Sequence, residues 1–174
     1  KTSVPLWGEN RQPAGGWMFA PPHVLRPGLT LGPVLIYGKD LTPARLAVPP
    51  EGLADRINRA WDVIESAWPE GARRLARLTT HIVPLKARGV VSFSYRHRPG
   101  LSFINCFDRD QLDLIDALIH ENSHHHLNLL LRKYDMRRGD HHQEVFYSPW
   151  RRSLRPLHGI LHATFTFTMG AALF

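Results

Sequence analysis

The chain has 174 residues, of which 43% are hydrophobic and 21% are charged. This balance is typical of one globular domain, and it excludes wholesale disorder, a collagen-like chain and a coiled coil. Eleven His stand against a single Cys, so any metal must be held by His and carboxylates rather than by a cysteine framework. No secretory-signal pattern opens the sequence, so we expect a cytoplasmic protein.

The sequence divides into three parts, which we expect to form a single domain over residues 1–174. Residues 1–50 are rich in Pro and Gly and predict an irregular part with short strands such as 34–37. Residues 51–107 predict a helix and a small sheet, and residues 108–174 predict helices that bind a metal. Because the sequence stops inside an apolar run, we expect it to be a segment of a longer protein.

The middle part begins with a helical pattern and continues with a strand-like one. Apolar residues recur at helical spacing over residues 51–68, and Pro69 and Gly71 are expected to end that helix. Three runs at 79–83, 90–95 and 101–105 are separated by turn residues. They predict a small antiparallel meander.

A basic region covers residues 71–107, which contain no Asp or Glu. Its seven cations are Arg73, Arg74, Arg77, Lys86, Arg88, Arg96 and Arg98. The region is either a solvated rim or a surface for an acidic partner. No recognition helix or RNA-binding aromatic motif accompanies the charge, so a nucleic-acid partner is not expected.

Two long helices are predicted in the last part. Asp110 can cap a helix that runs from Gln111 to about residue 132 or 133. Pro156 can open a final helix, and residues 156–174 carry no charge. Their length approaches a membrane span, but the His and Thr within them favour a buried core helix, so no membrane is expected. We therefore expect an α+β fold: a mainly helical metal-binding core in which two long helices face each other across the metal, a small antiparallel sheet and an irregular N-terminal part.

The chemistry-bearing motif is an HExxH sequence, formed by His120, Glu121 and His124. Two His four residues apart lie on one face of a helix, so both rings can reach one metal ion. Glu121 is offset from His120 by about 100° and can lie beside the metal. The motif predicts that His120 and His124 are metal ligands.

A third ligand is needed, and two candidates remain open. Leu127 and Leu130 stand where a metzincin would have Gly and His, which excludes that class. Glu144 follows His124 at the distance found in thermolysin-like enzymes, whereas His162 lies on the predicted final helix, one turn after His158.

Cationic and aromatic residues near His162 suggest a bound acid. Arg155 and His162 are seven residues apart, which is two helical turns, so we expect them to share one face of a helix about 10 Å apart along the axis. Arg155 could then hold the far carboxylate of a dicarboxylate whose other end binds the metal. Tyr147 and Trp150 are candidates to line the same pocket.

Several strings together resemble a known bacterial family. These are LIHENSHHHLNLL at residues 118–130, FYSPWR at 146–151, RPL at 155–157 and GILH at 159–162. The chain resembles the HExxH-motif peptide-modification proteins, which occur beside or fused to radical SAM peptide-maturation enzymes. A precursor peptide and a fused or neighbouring radical SAM enzyme are the partners that this resemblance implies.

The resemblance implies an iron(II)- and 2-oxoglutarate-dependent oxygenase that uses O₂ to hydroxylate the β-carbon of a residue in a ribosomally made precursor peptide. His120, His124 and His162 then resemble the iron ligands, and Arg151 or Arg155 resembles the residue that holds 2-oxoglutarate. Three ligands on one side of iron leave positions for a 2-oxoacid and O₂. Glu121 would orient a ligand His or a metal-bound water.

Two other functions are consistent with the same residues. A zinc metallopeptidase would use Glu121 as general base and Glu144 as third ligand. A non-enzymatic module would bind an acidic peptide or nucleic acid through the basic region, with a purely structural metal.

Overall fold

The computed structural model describes residues 23–134 and 145–173, which form four helices and two sheets. The helices are α1 (Leu53–Ala67), α2 (Pro69–Leu78), α3 (Gln111–Lys133) and α4 (Leu157–Ala171). The strands of the larger sheet are β1 (His23–Arg26), β2 (Leu29–Leu31), β3 (Val34–Tyr37), β4 (Pro43–Ala47), β5 (His81–Lys86), β6 (Phe93–Ser94) and β7 (Leu101–Asn105). A separate two-stranded sheet contains β8 (Phe146–Ser148) and β9 (Ser153–Arg155).

The seven-stranded sheet is mixed and has β5 at its centre. On one side, β2 and β3 each pair with β5 in parallel, one after the other along its length. On the other side, β7 pairs with β5 in parallel over five residues, and β6 pairs with β7 in antiparallel fashion. The predicted antiparallel meander is therefore wrong: its first and third strands are parallel neighbours, and its second lies outside them.

The observed architecture is α+β, as predicted, but two details of the prediction are wrong. Only α3, with 23 residues, is a long helix, because α4 has 15. The sheet is not small, since residues 23–47, expected to be irregular, supply four of its strands. Leu29 and Leu31 of β2 and Val34 of β3 are buried in the hydrophobic core, which anchors these strands despite the Pro-rich sequence around them.

Helix α1 confirms the predicted helix, whereas α2 was not predicted. Pro69 occupies the first position of α2, where its missing N–H costs no helical hydrogen bond. Gly71 is needed in α2 because a Cβ there would lie 2.0 Å from the Trp68 ring. Pro69 and Gly71, which the sequence predicts to end the first helix, thus lie in the first turn of a second helix that follows it directly.

Helix α3 is the element that carries the HExxH motif into the core. It begins with a reciprocal capping box. The Asp110 carboxylate accepts a hydrogen bond from the Asp113 backbone N–H, and the Asp113 carboxylate accepts one from the Asp110 backbone N–H. Leu114, Ile115 and Leu118 pack into the core formed with α1 and the sheet. This packing fixes the rotation of α3 and so the face on which its His residues lie.

Helix α4 packs against α3, but it is not the buried core helix that was expected. Thr166 is its one buried residue, and the other described residues of α4 remain partly or fully exposed. Over the described part of the chain, no helix combines the length and apolar character needed to cross a membrane.

Candidate metal centre

The HExxH residues converge as the helical spacing predicts. One ligand atom from each of His120, Glu121 and His124 lies within 4.8 Å of the others. The two imidazole rings stand edge to face with centroids 4.8 Å apart. The motif therefore forms a group of side chains that can hold a metal ion.

Helix α4 brings further His residues to this group. His162 Nδ1 lies 2.8 Å from His124 Nδ1, and the ring centroids of His158 and His162 are 4.3 Å apart. Adjacent nitrogen ligands of a six-coordinate ion, at metal–nitrogen distances of about 2.1 Å, are about 3 Å apart. The positions of His124 and His162 are therefore close to those of two ligands on one ion.

Burial favours the neutral form of His120 and His124, the form in which His binds a metal. Burial, together with the neighbouring His residues, lowers the pKa of His124 to about 3. Burial also lowers the pKa of His120, and Arg151 adds to the effect while Asp116 opposes it. Protons therefore compete weakly with a metal for this cluster.

Glu121 lies beside His120 and His124, and one of its carboxylate oxygens accepts no hydrogen bond from the described residues. Its side chain is 2% exposed, and its Oε2 accepts no hydrogen bond from the residues that the structure describes. Burial raises the pKa of this carboxyl to about 7, although the nearby Ser94 hydroxyl acts in the opposite direction. A buried carboxyl with an unused oxygen is costly unless a cation or donor completes it.

Hydrogen bonds on the buried side of α3 hold the motif in place. Asn122 Nδ2 donates to the Leu75 carbonyl and to Thr79 Oγ1, which ties α3 to the end of α2. His125, the residue after His124, is buried, and its Nε2 lies 3.1 Å from Ser102 Oγ on β7. Residues on both sides of His124 thus fix its orientation.

A cavity of about 430 Å³ opens beside His120 and His124. One wall is the α3 face that carries Asp113, Asp116 and Ala117, and the opposite wall is the segment 91–94. Arg109 and Arg151 also line the cavity. The cavity is thus polar and large enough for a small acid next to the His cluster.

The residues predicted to bind an acid lie in different places, and only one of them lines the cavity. Arg151 lines the cavity, but Arg155 lies in β9, before α4 begins, and its guanidinium rests near Gly159. The expected helical spacing of Arg155 and His162 is therefore wrong, because Arg155 is not part of the helix. Tyr147 is 63% exposed on β8 and does not line the cavity, whereas Trp150 contacts Phe167 at 5.4 Å between ring centroids.

The alternative third ligand, Glu144, lies outside the described residues, so the structure places only His162 of the two candidates. The cations of the basic region fall in three segments: helix α2, the end of β5 with the loop after it, and the turn after β6. On α2, Arg73 and Arg74 pair with Glu70, which offsets part of their charge.

Two groups of cavity residues were not predicted from the sequence. Asp113 and Asp116 lie seven and four residues before His120, so helical periodicity alone could have placed them on the same face. Ser94 has no such signal, because only the pairing of β6 with β7 brings it beside α3.

No protein-family model matches the chain, and no curated protein is significantly similar to it. The geometry of this site and the motif resemblance are therefore what supports a functional assignment.

Proposed function

We propose that the protein is an iron(II)- and 2-oxoglutarate-dependent oxygenase that hydroxylates a residue of a precursor peptide. The observation that carries the proposal is the 2.8 Å approach of His162 to His124, which adds a third imidazole to the HExxH pair. Three imidazole nitrogens on one side of an ion suit iron(II) and leave positions for other ligands.

The donor set fits such an ion. His120 and His124 are held on one helix, His162 reaches them from another, and the buried Glu121 lies within 4.8 Å of the first two. When bound, iron with 2-oxoglutarate and O₂ supplies the oxidising power, and the balance is R–H + 2-oxoglutarate + O₂ → R–OH + succinate + CO₂.

Residues of the chain would position 2-oxoglutarate beside the ion. Arg151 lines the cavity beside His120 and carries a fixed positive charge, so it is the residue that we assign to the distal carboxylate of 2-oxoglutarate. Phe167 packs near the His120 ring, with Trp150 against it.

An anaerobic titration tests the proposal. The iron(II)-loaded protein should develop a visible charge-transfer band with 2-oxoglutarate, and admission of O₂ should yield succinate. We expect Arg151→Ala to raise the concentration of 2-oxoglutarate required at least tenfold, whereas the neighbouring Arg152→Ala serves as the matched control. Absence of both the band and succinate in the iron-loaded wild type would contradict the proposal.

One observation favours a second candidate, a zinc peptidase. Glu121 lies beside both motif His residues, where a general base of an HExxH peptidase acts on a zinc-bound water. Zinc-dependent cleavage of a casein substrate that is lost in Glu121→Gln would favour this candidate. Succinate formation without cleavage would favour the oxygenase.

A further inference from the structure

Strand β6 forms an edge of the described part of the sheet, directly beside the candidate metal centre. Among the described strands it pairs with β7 alone. Its two residues, Phe93 and Ser94, line the same cavity as His120 and His124. Unpaired strand edges are templates for the backbone of another segment.

The hydrogen bonds of β7 reveal which backbone groups of β6 point outward. Cys106 N–H donates to the Leu85 carbonyl on the β5 side, whereas Asn105 N–H donates to Ser92 Oγ on the opposite side. Amides alternate in direction along a strand, so Phe103 also points toward β6, where Phe93 is its partner. The N–H and C=O groups of Ser94, the next residue, consequently point away from β7, toward the open edge.

The side chain of Ser94 faces the metal side of the sheet. Ser94 stands opposite Ser102, whose hydroxyl contacts His125 of α3, so both serines lie on the α3 face. Ser94 Oγ is buried and lies near the Glu121 carboxyl, whose pKa it lowers. On the other face of the sheet, Phe93, Tyr95 and Phe103 form an aromatic cluster with ring centroids 4.6 to 5.7 Å apart.

We propose that the substrate binds as an extended peptide strand along the outer edge of β6, paired through the backbone of Ser94. An added strand would lie about 4.8 Å from β6. Because side chains opposite each other share a face, the peptide residue opposite Ser94 presents its side chain to the α3 face and the His cluster. This inference rests on the proposed function for the identification of the bound peptide as substrate.

Pairing through the backbone determines which peptides the protein can recognise. Backbone pairing requires an unfolded segment, and it tolerates many side chains at the paired positions. The residues before and after the modified one point to the opposite face, toward Phe93 and Tyr95. Aromatic or large apolar residues are therefore expected at these two positions.

Binding is tested with a displayed library of random 12-residue peptides, selected on the protein loaded with Zn(II), which binds the site without redox chemistry. The affinity of one selected peptide is then compared between wild type, Ser94→Pro and Ser94→Ala. Pro removes the outward N–H without breaking the β7 ladder, and Ala removes the hydroxyl alone. We expect a loss of at least tenfold for Ser94→Pro and less than threefold for Ser94→Ala, with circular dichroism reporting the fold.

A scan of the peptide supplies an independent measurement if Ser94→Pro does not fold. Single N-methylation of each peptide amide should reduce affinity at least tenfold at the amide that faces Ser94, while the amides on either side of it tolerate the change. Uniform tolerance along the peptide, or equal affinity for folded Ser94→Pro and wild type, would overturn the proposal. So would a homodimer that buries β6, detected by light scattering and lost in Ser94→Pro.

The experiment separates this inference from the oxygenase proposal. The zinc-loaded selection measures binding alone, and succinate production measures the reaction. Backbone-dependent binding without succinate from the iron-loaded protein would leave the strand site standing and remove the oxygenase. If succinate forms but Ser94→Pro does not change the affinity for the peptide, the oxygenase proposal stands and the strand site is ruled out.

Discussion

His124 of α3 and His162 of α4 meet at 2.8 Å between their Nδ1 atoms. Helical spacing within α3 unites His120 with His124, but only the packing of α4 on α3 adds the third ring. The candidate metal centre therefore lies at the interface between two helices, and its assembly can be tested at each helix separately.

His162→Ala should weaken metal binding because it removes the α4 contribution. We expect the affinity for Zn(II), measured by competition with a chromophoric chelator, to fall at least about tenfold, the lower end of the range for residues that support a metal site. Glu144→Gln is the matched comparison, since Glu144 is the rival third ligand. A large loss in Glu144→Gln and none in His162→Ala would transfer the assignment to Glu144.

Metal addition should stabilise the folded chain, because an assembled site binds the ion in the folded state. At a metal concentration of 100 times Kd, the free energy of unfolding should rise by about 2.7 kcal/mol. For a domain of this size, that corresponds to an increase in Tm of about 5–10 °C. Thermal melts with and without Zn(II) measure it, and an equal increase in the double variant His120→Ala/His124→Ala would show binding elsewhere.

Residues whose roles depend on local sequence were predicted well. The Asp110 cap, the extent of α3, strand β3 and helix α1 follow from capping chemistry and periodicity within one segment. The convergence of His120 with His124 follows from the same local rule. These features need no knowledge of distant parts of the chain.

Features that depend on tertiary packing were missed. The run 79–83 carries no signal that distinguishes a parallel neighbour at 101–105 from an antiparallel one at 90–95, and the structure pairs β5 with β7. Gly71 suggested a break, yet it is required in α2 by the Trp68 ring. Arg155 is not a helical partner of His162 because α4 begins at Leu157 with Pro156 as its N-cap, and Arg155 is the last residue of β9.

The pH dependence of stability should include a contribution from His81. Burial lowers the pKa of His81, whose Nδ1 lies 2.6 Å from Thr30 Oγ1. The neutral ring is favoured in the folded state, so its stabilisation is present above the unfolded pKa of about 6.5 and is lost as pH falls through the folded pKa.

Urea unfolding of the metal-free protein between pH 5 and 8 measures this contribution. One extra proton taken up on unfolding changes the free energy of unfolding by about 1.4 kcal/mol per pH unit. His81→Gln should show a shallower decline below pH 6.5 than the wild type. The other buried His residues are retained in both proteins, so identical slopes would contradict a titrating role for His81.

The coupling of Asn122 to Thr79 should be measurable as stability. Asn122→Ala leaves the Leu75 carbonyl and the Thr79 hydroxyl without their donor at a buried site, and the expected cost is about 1–3 kcal/mol. Thr79→Val removes the partner hydroxyl. In a double-mutant cycle the two losses should fall short of additivity by about 0.5 kcal/mol or more, because the shared hydrogen bond can be lost only once.

The half-buried Asn128 on the same helix provides the control for that cycle. Asn128→Ala combined with Thr79→Val should be additive within about 0.5 kcal/mol, because these residues share no hydrogen bond with each other in the structure. Since Asn122 lies between Glu121 and His124, a confirmed coupling would mean that α2 helps to set the rotation of the metal-binding face. Full additivity for Asn122 and Thr79 would instead mean that apolar packing alone sets the rotation of α3.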